Sequence, residues 1–351
     1  MAVPSAALVA TWAITGGSGF LGVHLARRLA ANGNRVRTLD LEPPDDELRR
    51  LRVDAVVGDV RDLERARELC EGMDVLVHAA AALPIRRSAS EIRSVNVDGA
   101  ATVVRAAVEA GVSKAIVVST TAVYGVPETH PITEETPLAP LGAYGESKAD
   151  AEEVVRRLGS GHLEIVIVRP KTFLGSGRLG VFEILFDWIR EGRRIYVLGN
   201  GRNRYQLLAV DDLVEAIVRA VERSSVPEVF NLGAKVFGTV AEDLQGLIAH
   251  AGSASRLVRV PARPAQAALR ALELAHLSPL AEWHYRTADK DSFVDTSAVE
   301  RALGWEPQYS NLEALTAAYD WYVQHRETAG PGLTHRTPWR QQALGLLKRV
   351  S

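Results

Sequence analysis

Tyr144 and Lys148, in the run Tyr144-Gly145-Glu146-Ser147-Lys148, are spaced to share one face of a helix. A free phenol, with a pKa near 10, is a poor base at neutral pH. An ammonium beside it favours the phenolate and lowers that pKa, which suits the phenol to exchanging a proton with an alcohol. Thr120 follows the apolar run Ala115-Ile116-Val117-Val118-Ser119 and can offer a hydroxyl to the same substrate oxygen. Taken alone, a Tyr-x-x-x-Lys is an ordinary helix surface that chance supplies, so its meaning depends on what surrounds it.

The second chemical feature is Thr15-Gly16-Gly17-Ser18-Gly19-Phe20-Leu21-Gly22. It follows the apolar run Ala10 to Ile14, which reads as a buried strand. It leads into Val23 to Ala30, whose apolar spacing is helical. A strand, a glycine-rich turn and a helix make a cradle for a pyrophosphate. Gly16 can take a backbone angle closed to other residues, Gly19 lets the main chain approach the phosphate, and Gly22 lets helix and strand pack closely. The next strand, Val36 to Leu39, ends on Asp40, about 20 residues on, where a carboxylate grips ribose hydroxyls. It would repel a ribose phosphate, so NAD is favoured over NADP. The positive nicotinamide ring of NAD would then join Lys148 in favouring the Tyr144 phenolate.

Positioning these groups requires a particular scaffold. Strand and helix patterns alternate to about residue 170, which implies a parallel sheet covered on both faces. Ala55 to Val57 runs into Gly58-Asp59-Val60, where Asp59 either contacts adenine or caps the helix from Leu63 to Glu71. The strand Asp74 to His78 ends in Ala79-Ala80-Ala81, small enough for a cofactor to lie against backbone, and His78 reads as a packed residue. A long helix is predicted over Ser90 to Ala110, containing Asn96. The Tyr144 helix follows a proline-rich loop and runs to about Leu158. From Lys171 the pattern changes to helices interleaved with short strands. The helix Phe182 to Glu191, with Trp188, either walls a substrate cleft or packs in a core. Asp211 to Glu222 and the strand Glu228 to Leu232 return to the first unit, and a last helix spans Leu312 to Glu327. Arg286 is either a phosphate clamp or a surface ion pair.

Composition narrows the classes. The chain has 351 residues, 47% hydrophobic and 24% charged, with a net charge of -2 that gives no reason to expect nucleic acid. One cysteine, Cys70, excludes an intramolecular disulfide and a cysteine-based zinc site, and fits a reducing cytosol. The first residues lack the charge and apolar core of a signal peptide, and no apolar run of about 18 residues predicts a membrane span. The tail Thr334 to Ser351 has one apolar face and a basic end. It is expected to dock on its own domain rather than on a membrane surface or partner.

These residues carry a resemblance. The ordered set is Thr15 to Gly22, Asp40, Gly58-Asp59, His78-Ala79-Ala80, Asn96, Thr120, Tyr144 to Lys148, Arg169-Pro170, Asn231-Leu232-Gly233 and Leu303 to Pro307. Over about residues 10 to 325 the chain resembles an extended short-chain dehydrogenase/reductase of the NAD-dependent epimerase/dehydratase family. The resemblance implies an α/β fold, a Rossmann-type doubly wound parallel sheet with a smaller C-terminal substrate domain. The expected division is 1–170 with 205–235 for NAD, 171–204 and 236–328 for substrate, and 329–351 as a tail. It implies NAD contacts at Gly16, Gly19, Phe20, Leu21, Gly22, Asp40, Asp59, Val60, Ala79 and Ala80, and at Tyr144 and Lys148. It makes Thr120 the catalytic hydroxyl beside Tyr144 and Lys148, with Thr121 the second choice. Thr121, Thr172, Arg204 and Arg286 are the expected substrate contacts, and the protein is expected to be a cytoplasmic homodimer acting on an NDP-sugar.

Departures from the family pattern bear on substrate. Dehydratases and decarboxylases of the family resemble each other in an acid two positions after the catalytic hydroxyl, where this chain has Ala122. That points to 4-epimerisation or simple dehydrogenation. Thr172 stands where the family often has Asn, and Tyr205 where a phosphate-binding arginine often lies, with Arg202 and Arg204 beside it. Asn203 and the spacing from Gly199 to Asp212 equally resemble the 3β-hydroxysteroid dehydrogenase branch. The leading expectation is a nucleotide-sugar epimerase. A dehydrogenase or reductase of a hydrophobic alcohol is the second, and a non-catalytic NAD-responsive protein the third.

Overall fold

The computed structural model describes residues 10–84, 87–275, 277, 280, 282–326 and 348. Seven strands form one sheet: β1 (Thr11–Thr15), β2 (Arg35–Asp40), β3 (Asp54–Val57), β4 (Val75–His78), β5 (Lys114–Val118), β6 (Glu164–Pro170) and, far along the chain, Val229–Leu232. Their order is Val229–Leu232, then β6, β5, β4, β1, β2 and β3, and every pairing is parallel. The chain winds outward in one direction through β1, β2 and β3, then crosses back to β4 and continues the other way. The order therefore reverses between β1 and β4, and a ligand crevice opens there at the strands' carboxyl ends. The fold is the doubly wound Rossmann type expected.

Strands buried on both faces must be apolar throughout, and β4 and β5 are fully buried. Two separate cores cover the sheet. One includes Ile14, Leu25, Val77 and Phe230; the other includes Leu39, Leu76, Val104 and Ile167. Val299, Leu303 and Trp305 join the first core, so residues from the late part of the chain also pack on the large sheet.

Two short parallel pairs complete the structure: β7 (Thr172–Leu174) with β9 (Leu207–Ala209), and β8 (Ile195–Leu198) with Leu257–Val260. A third core joins Leu174, Phe186, Trp188 and Tyr319, uniting β7 with the helices Val181–Arg190 and Asn311–His325. Trp188 belongs to this core, its ring edge-on to Tyr196.

The helix expected over Ser90 to Ala110 is built in three parts, Ala89–Arg93, a π-helical turn Ser94–Asp98, and Gly99–Glu109. A π-turn inserts an extra residue and re-aims the side chains around it. Here the turn holds Asn96, which accepts from the Ala82 N–H at 2.7 Å and donates to the Ala82 carbonyl at 3.2 Å and Ser147 Oγ at 2.9 Å. The loop after β4 is thereby tied to the Tyr144 helix. Among the described residues no helix is long and apolar enough to cross a membrane. The expected tail lies outside the described residues apart from Lys348, whose ammonium pairs with Asp187 and, at 2.8 Å, with Glu191.

Candidate active site

The crevice over the switch point is a cleft of about 280 Å³. Its floor is the turn between β1 and the helix Phe20–Ala31, which starts at Gly19 with no side-chain cap, leaving amide groups free for an anion. Gly16 has φ 74°, and a Cβ there would sit 2.9 Å from the Ala80 nitrogen. A Cβ at Gly22 would stand 2.0 Å from the Gly16 carbonyl oxygen. The cradle thus has room for main chain only, which is the fit a pyrophosphate requires. Phe20, Leu21, Val60, Ala79 and Ala80 line the same cleft.

Asp40 closes β2 and lines the cleft. Its carboxylate accepts from the Ser18 N–H at 2.9 Å and the Glu42 N–H at 3.2 Å. Burial raises its pKa, and these backbone bonds oppose the rise. Asp59 also lines the cleft, held by the Arg61 guanidinium at 2.6 Å, a bond that lowers its pKa. The alternative of Asp59 as a helix cap is corrected: Asp62 caps Leu63–Cys70, accepting from the Glu64 and Arg65 amides. These residues fit an adenine dinucleotide.

A second cavity, of about 360 Å³, adjoins the first. Tyr144 lines both. It lies near the start of the helix Gly142–Gly159, whose buried face includes Lys148 and Glu152 one and two turns on. Thr120 and Thr121 follow β5 and also line this cavity, and Thr120 Oγ1 accepts from the Ala122 N–H at 3.2 Å.

Burial pushes the Tyr144 phenol up to about 12, opposed by a hydrogen bond with Thr120 and the positive charge of Arg178. Lys148, expected to supply a local charge, lies one turn on, its ammonium donating to the Val118 carbonyl at 2.7 Å. Burial lowers Lys148 to about 8, opposed by Glu152. Glu152 also accepts from Ser119 Oγ at 2.5 Å and from Arg169 at 2.5 and 2.9 Å, while Arg169 donates to the Tyr124 hydroxyl at 2.7 Å. This buried network locks the end of β5 against the Tyr144 helix. His78 is packed as expected, its Nδ1 paired with Thr15 Oγ1 at 2.8 Å and its pKa pulled to about 3 by burial, so it is neutral.

The expected substrate contacts divide. Thr121 and Thr172 line the second cavity, Thr172 sharing a 3.4 Å hydrogen bond with the Tyr205 hydroxyl. Arg204 and Arg286 are not among its lining residues. The Arg204 guanidinium lies over the rings of Phe237 and Phe293, at 4.5 and 4.8 Å, and Arg286 pairs with Glu282 at 3.0 Å. Two cations overlooked in the sequence do line the cavity, Lys171 and Arg178. A lysine directly after the buried end of β6 was the available signal, because a charge is rarely buried without a reason.

With this geometry in place, the class of protein is a nicotinamide-dinucleotide-binding, doubly wound α/β protein. Residues 12–233 match the NAD dependent epimerase/dehydratase family. The chain belongs to this family, and its cofactor is NAD. It is 36% identical to an uncharacterized protein of Sinorhizobium fredii, over 97% of this chain and 86% of that one. It is 30% identical to a 4-hydroxy-2-methyl-3-oxo-4-farnesyl-3,4-dihydroquinoline-1-oxide ketoreductase of Stigmatella aurantiaca, covering 87% of this chain and 94% of that one. The fold matches dTDP-glucose 4,6-dehydratase DesIV of Streptomyces venezuelae, a structure with NAD bound. That match has a TM-score of 0.74 at 26% identity and covers 90% of this chain and 98% of the other.

Proposed function

We propose that the protein is an NAD-dependent nucleotide-sugar epimerase that works through a transient keto intermediate. The observation that carries this reading is the place of Tyr144, whose side chain lines both the cofactor cleft and the adjoining cavity. A proton-exchanging group at that junction can act on the hydroxyl of the substrate carbon that faces the cofactor. Tyr144 takes the proton of the sugar hydroxyl while Thr120 holds the same oxygen, and Tyr144 later returns the proton. Lys148, fixed on the Val118 carbonyl, keeps a positive charge beneath the cleft. When bound, NAD supplies the oxidant and then the reductant for the substrate carbon, and its ring charge favours the phenolate.

The relative that dehydrates dTDP-glucose supports a nucleotide sugar as the substrate class. Ala122, buried two residues after Thr120, has no acid or base to offer. The position that would serve dehydration is therefore silent, which leaves redox-neutral inversion or a simple dehydrogenation. The test is a panel of NDP-sugars with the NAD-loaded protein. The expected result is an isomer of equal mass with no net NADH.

A second reading, reduction or oxidation of a hydrophobic ketone or alcohol, draws on the apolar wall formed by Phe182, Leu185, Leu244 and Leu315, and on the ketoreductase relative. No isomerisation of any NDP-sugar, together with stoichiometric NADH from a hydrophobic alcohol, would establish it instead.

A further inference from the structure

The arginines the sequence offered for a substrate's negative charge face elsewhere, Arg204 onto two phenylalanine rings and Arg286 onto Glu282. The cavity beside Tyr144 is nonetheless furnished with positive charge. Lys171 follows Pro170 at the end of β6 and is 1% exposed. Its ammonium donates to Ser292 Oγ at 2.5 Å and lies 4.8 Å from the centroid of the Tyr205 ring. Arg178 is 4% exposed, its guanidinium surrounded by the rings of Phe20, Phe173 and Phe182 at 5.5, 5.8 and 5.7 Å. The Arg178 Nε has no hydrogen-bond partner.

Among the described residues, no carboxylate acts on either cation. Burial alone lowers Lys171, to about 7, and burial lowers Arg178 to about 9, opposed only by the Tyr144 phenol. Asp243, the one acid among the described residues that line the cavity, is occupied by Asn311 Nδ2 at 2.7 Å. Burying a cation without a counter-charge is costly, and aromatic faces and a hydroxyl offset only part of that cost. A neutral, hydrophobic substrate would leave the cost standing. An anion entering the cavity would remove it, with the guanidinium offering a two-pronged contact and the ammonium a point charge.

We propose that Lys171 and Arg178 form an anion subsite in the wall of the Tyr144 cavity, where phosphoryl or carboxylate oxygens of the substrate complete their contacts. The proposal rests on the nucleotide-sugar reading, since such a substrate brings a diphosphate and, in a uronate, a sugar carboxylate as well.

The test is calorimetric binding to the NAD-loaded full chain, using wild type, Lys171→Met, Lys171→Arg and Arg178→Gln. The probes are pyrophosphate, UDP-glucose, UDP-glucuronate and uridine. Wild type should bind UDP-glucose far more tightly than uridine. Lys171→Met and Arg178→Gln should each weaken the nucleotide sugars by about tenfold or more, as expected for loss of a charged contact. Lys171→Arg should recover part of the loss, and NAD affinity should stay within about twofold in all four proteins. Equal losses for UDP-glucose and UDP-glucuronate identify the diphosphate as the group held; a loss confined to UDP-glucuronate identifies the carboxylate.

Unchanged affinities in folded Lys171→Met and Arg178→Gln would overturn the subsite. Should either variant not fold, equal wild-type affinity for uridine and UDP-glucose would overturn it. A wild type that binds none of the three anionic probes would overturn it too. Nucleotide sugars that bind through these two residues without isomerising would leave the subsite standing and remove the epimerase reading.

Discussion

The cofactor cleft and the adjoining cavity share Leu83, Ser119, Tyr144 and Phe173, and beyond these they are built in opposite ways. The floor of the cleft is main chain. Gly16 and Gly22 approach neighbouring backbone so closely that a methyl group at either would collide with it. The cavity is made by side chains from segments far apart in sequence, among them Thr120, Lys171, Arg178, Asp243 and Leu315. None of these belongs to the glycine turn that floors the cleft. The contrast explains how one scaffold keeps its cofactor while its substrate changes, because the two requirements are met by different parts of the chain.

Breaking the main-chain half should have the largest effect. Gly22→Ala places a Cβ against the Gly16 carbonyl and forces the cradle apart. NAD binding should be lost in a titration, with a cost to stability of about 1–3 kcal/mol in urea unfolding. Wild-type NAD affinity in that variant would contradict a backbone-built cleft.

At the junction, Tyr144→Phe keeps the ring and removes only the hydroxyl. Turnover should fall by roughly 100- to 10,000-fold while NAD still binds, as measured by initial rates on the true substrate. A rate near that of wild type would remove Tyr144 from the chemistry.

Asp40→Ala should act more mildly. Loss of a charged acceptor costs about 1.5–3 kcal/mol, so NAD affinity should drop and the preference over NADP should shrink. Tighter binding of NADP than of NAD by the unaltered protein would show that Asp40 does not select the cofactor.

Arg286→Ala should do least. Its partner Glu282 is on the surface, and such pairs are worth about 0–1 kcal/mol, so KM and thermal stability should scarcely move. A large rise in KM would return Arg286 to the substrate.

The same contrast decides what could be read from the residues alone. The glycine turn, Asp40 and the Tyr144–Lys148 pair are local patterns whose geometry follows from the few residues around them, and the structure assembles them in one cleft. Asp59 was open between an adenine contact and a helix cap because it shortly precedes a helix, and only the chain path shows that Asp62 is the carboxylate that reaches the first-turn amides. The π-turn at Asn96 goes with a tertiary tie to Ala82 and Ser147 that helical periodicity does not encode. Arg204 and Arg286 were plausible from their spacing, but Phe237, Phe293 and Glu282 draw them away. Lys171 and Arg178 gain their meaning only when Tyr205, Ser292 and three phenylalanine rings close around them. Side-chain direction is set by packing between distant segments, and no motif carries it.

On the proposed reading Tyr144 exchanges the substrate proton, and cofactor charge brings a buried phenol into range. Ultraviolet difference titration of wild type against Tyr144→Phe reads that phenol directly, with and without NAD. Without NAD, the Tyr144 phenolate should be absent up to about pH 10, because burial holds the group at about 12. With NAD bound, its midpoint should fall by about one unit or more, the direction an adjacent positive charge imposes. Identical titrations in the two states would contradict the account.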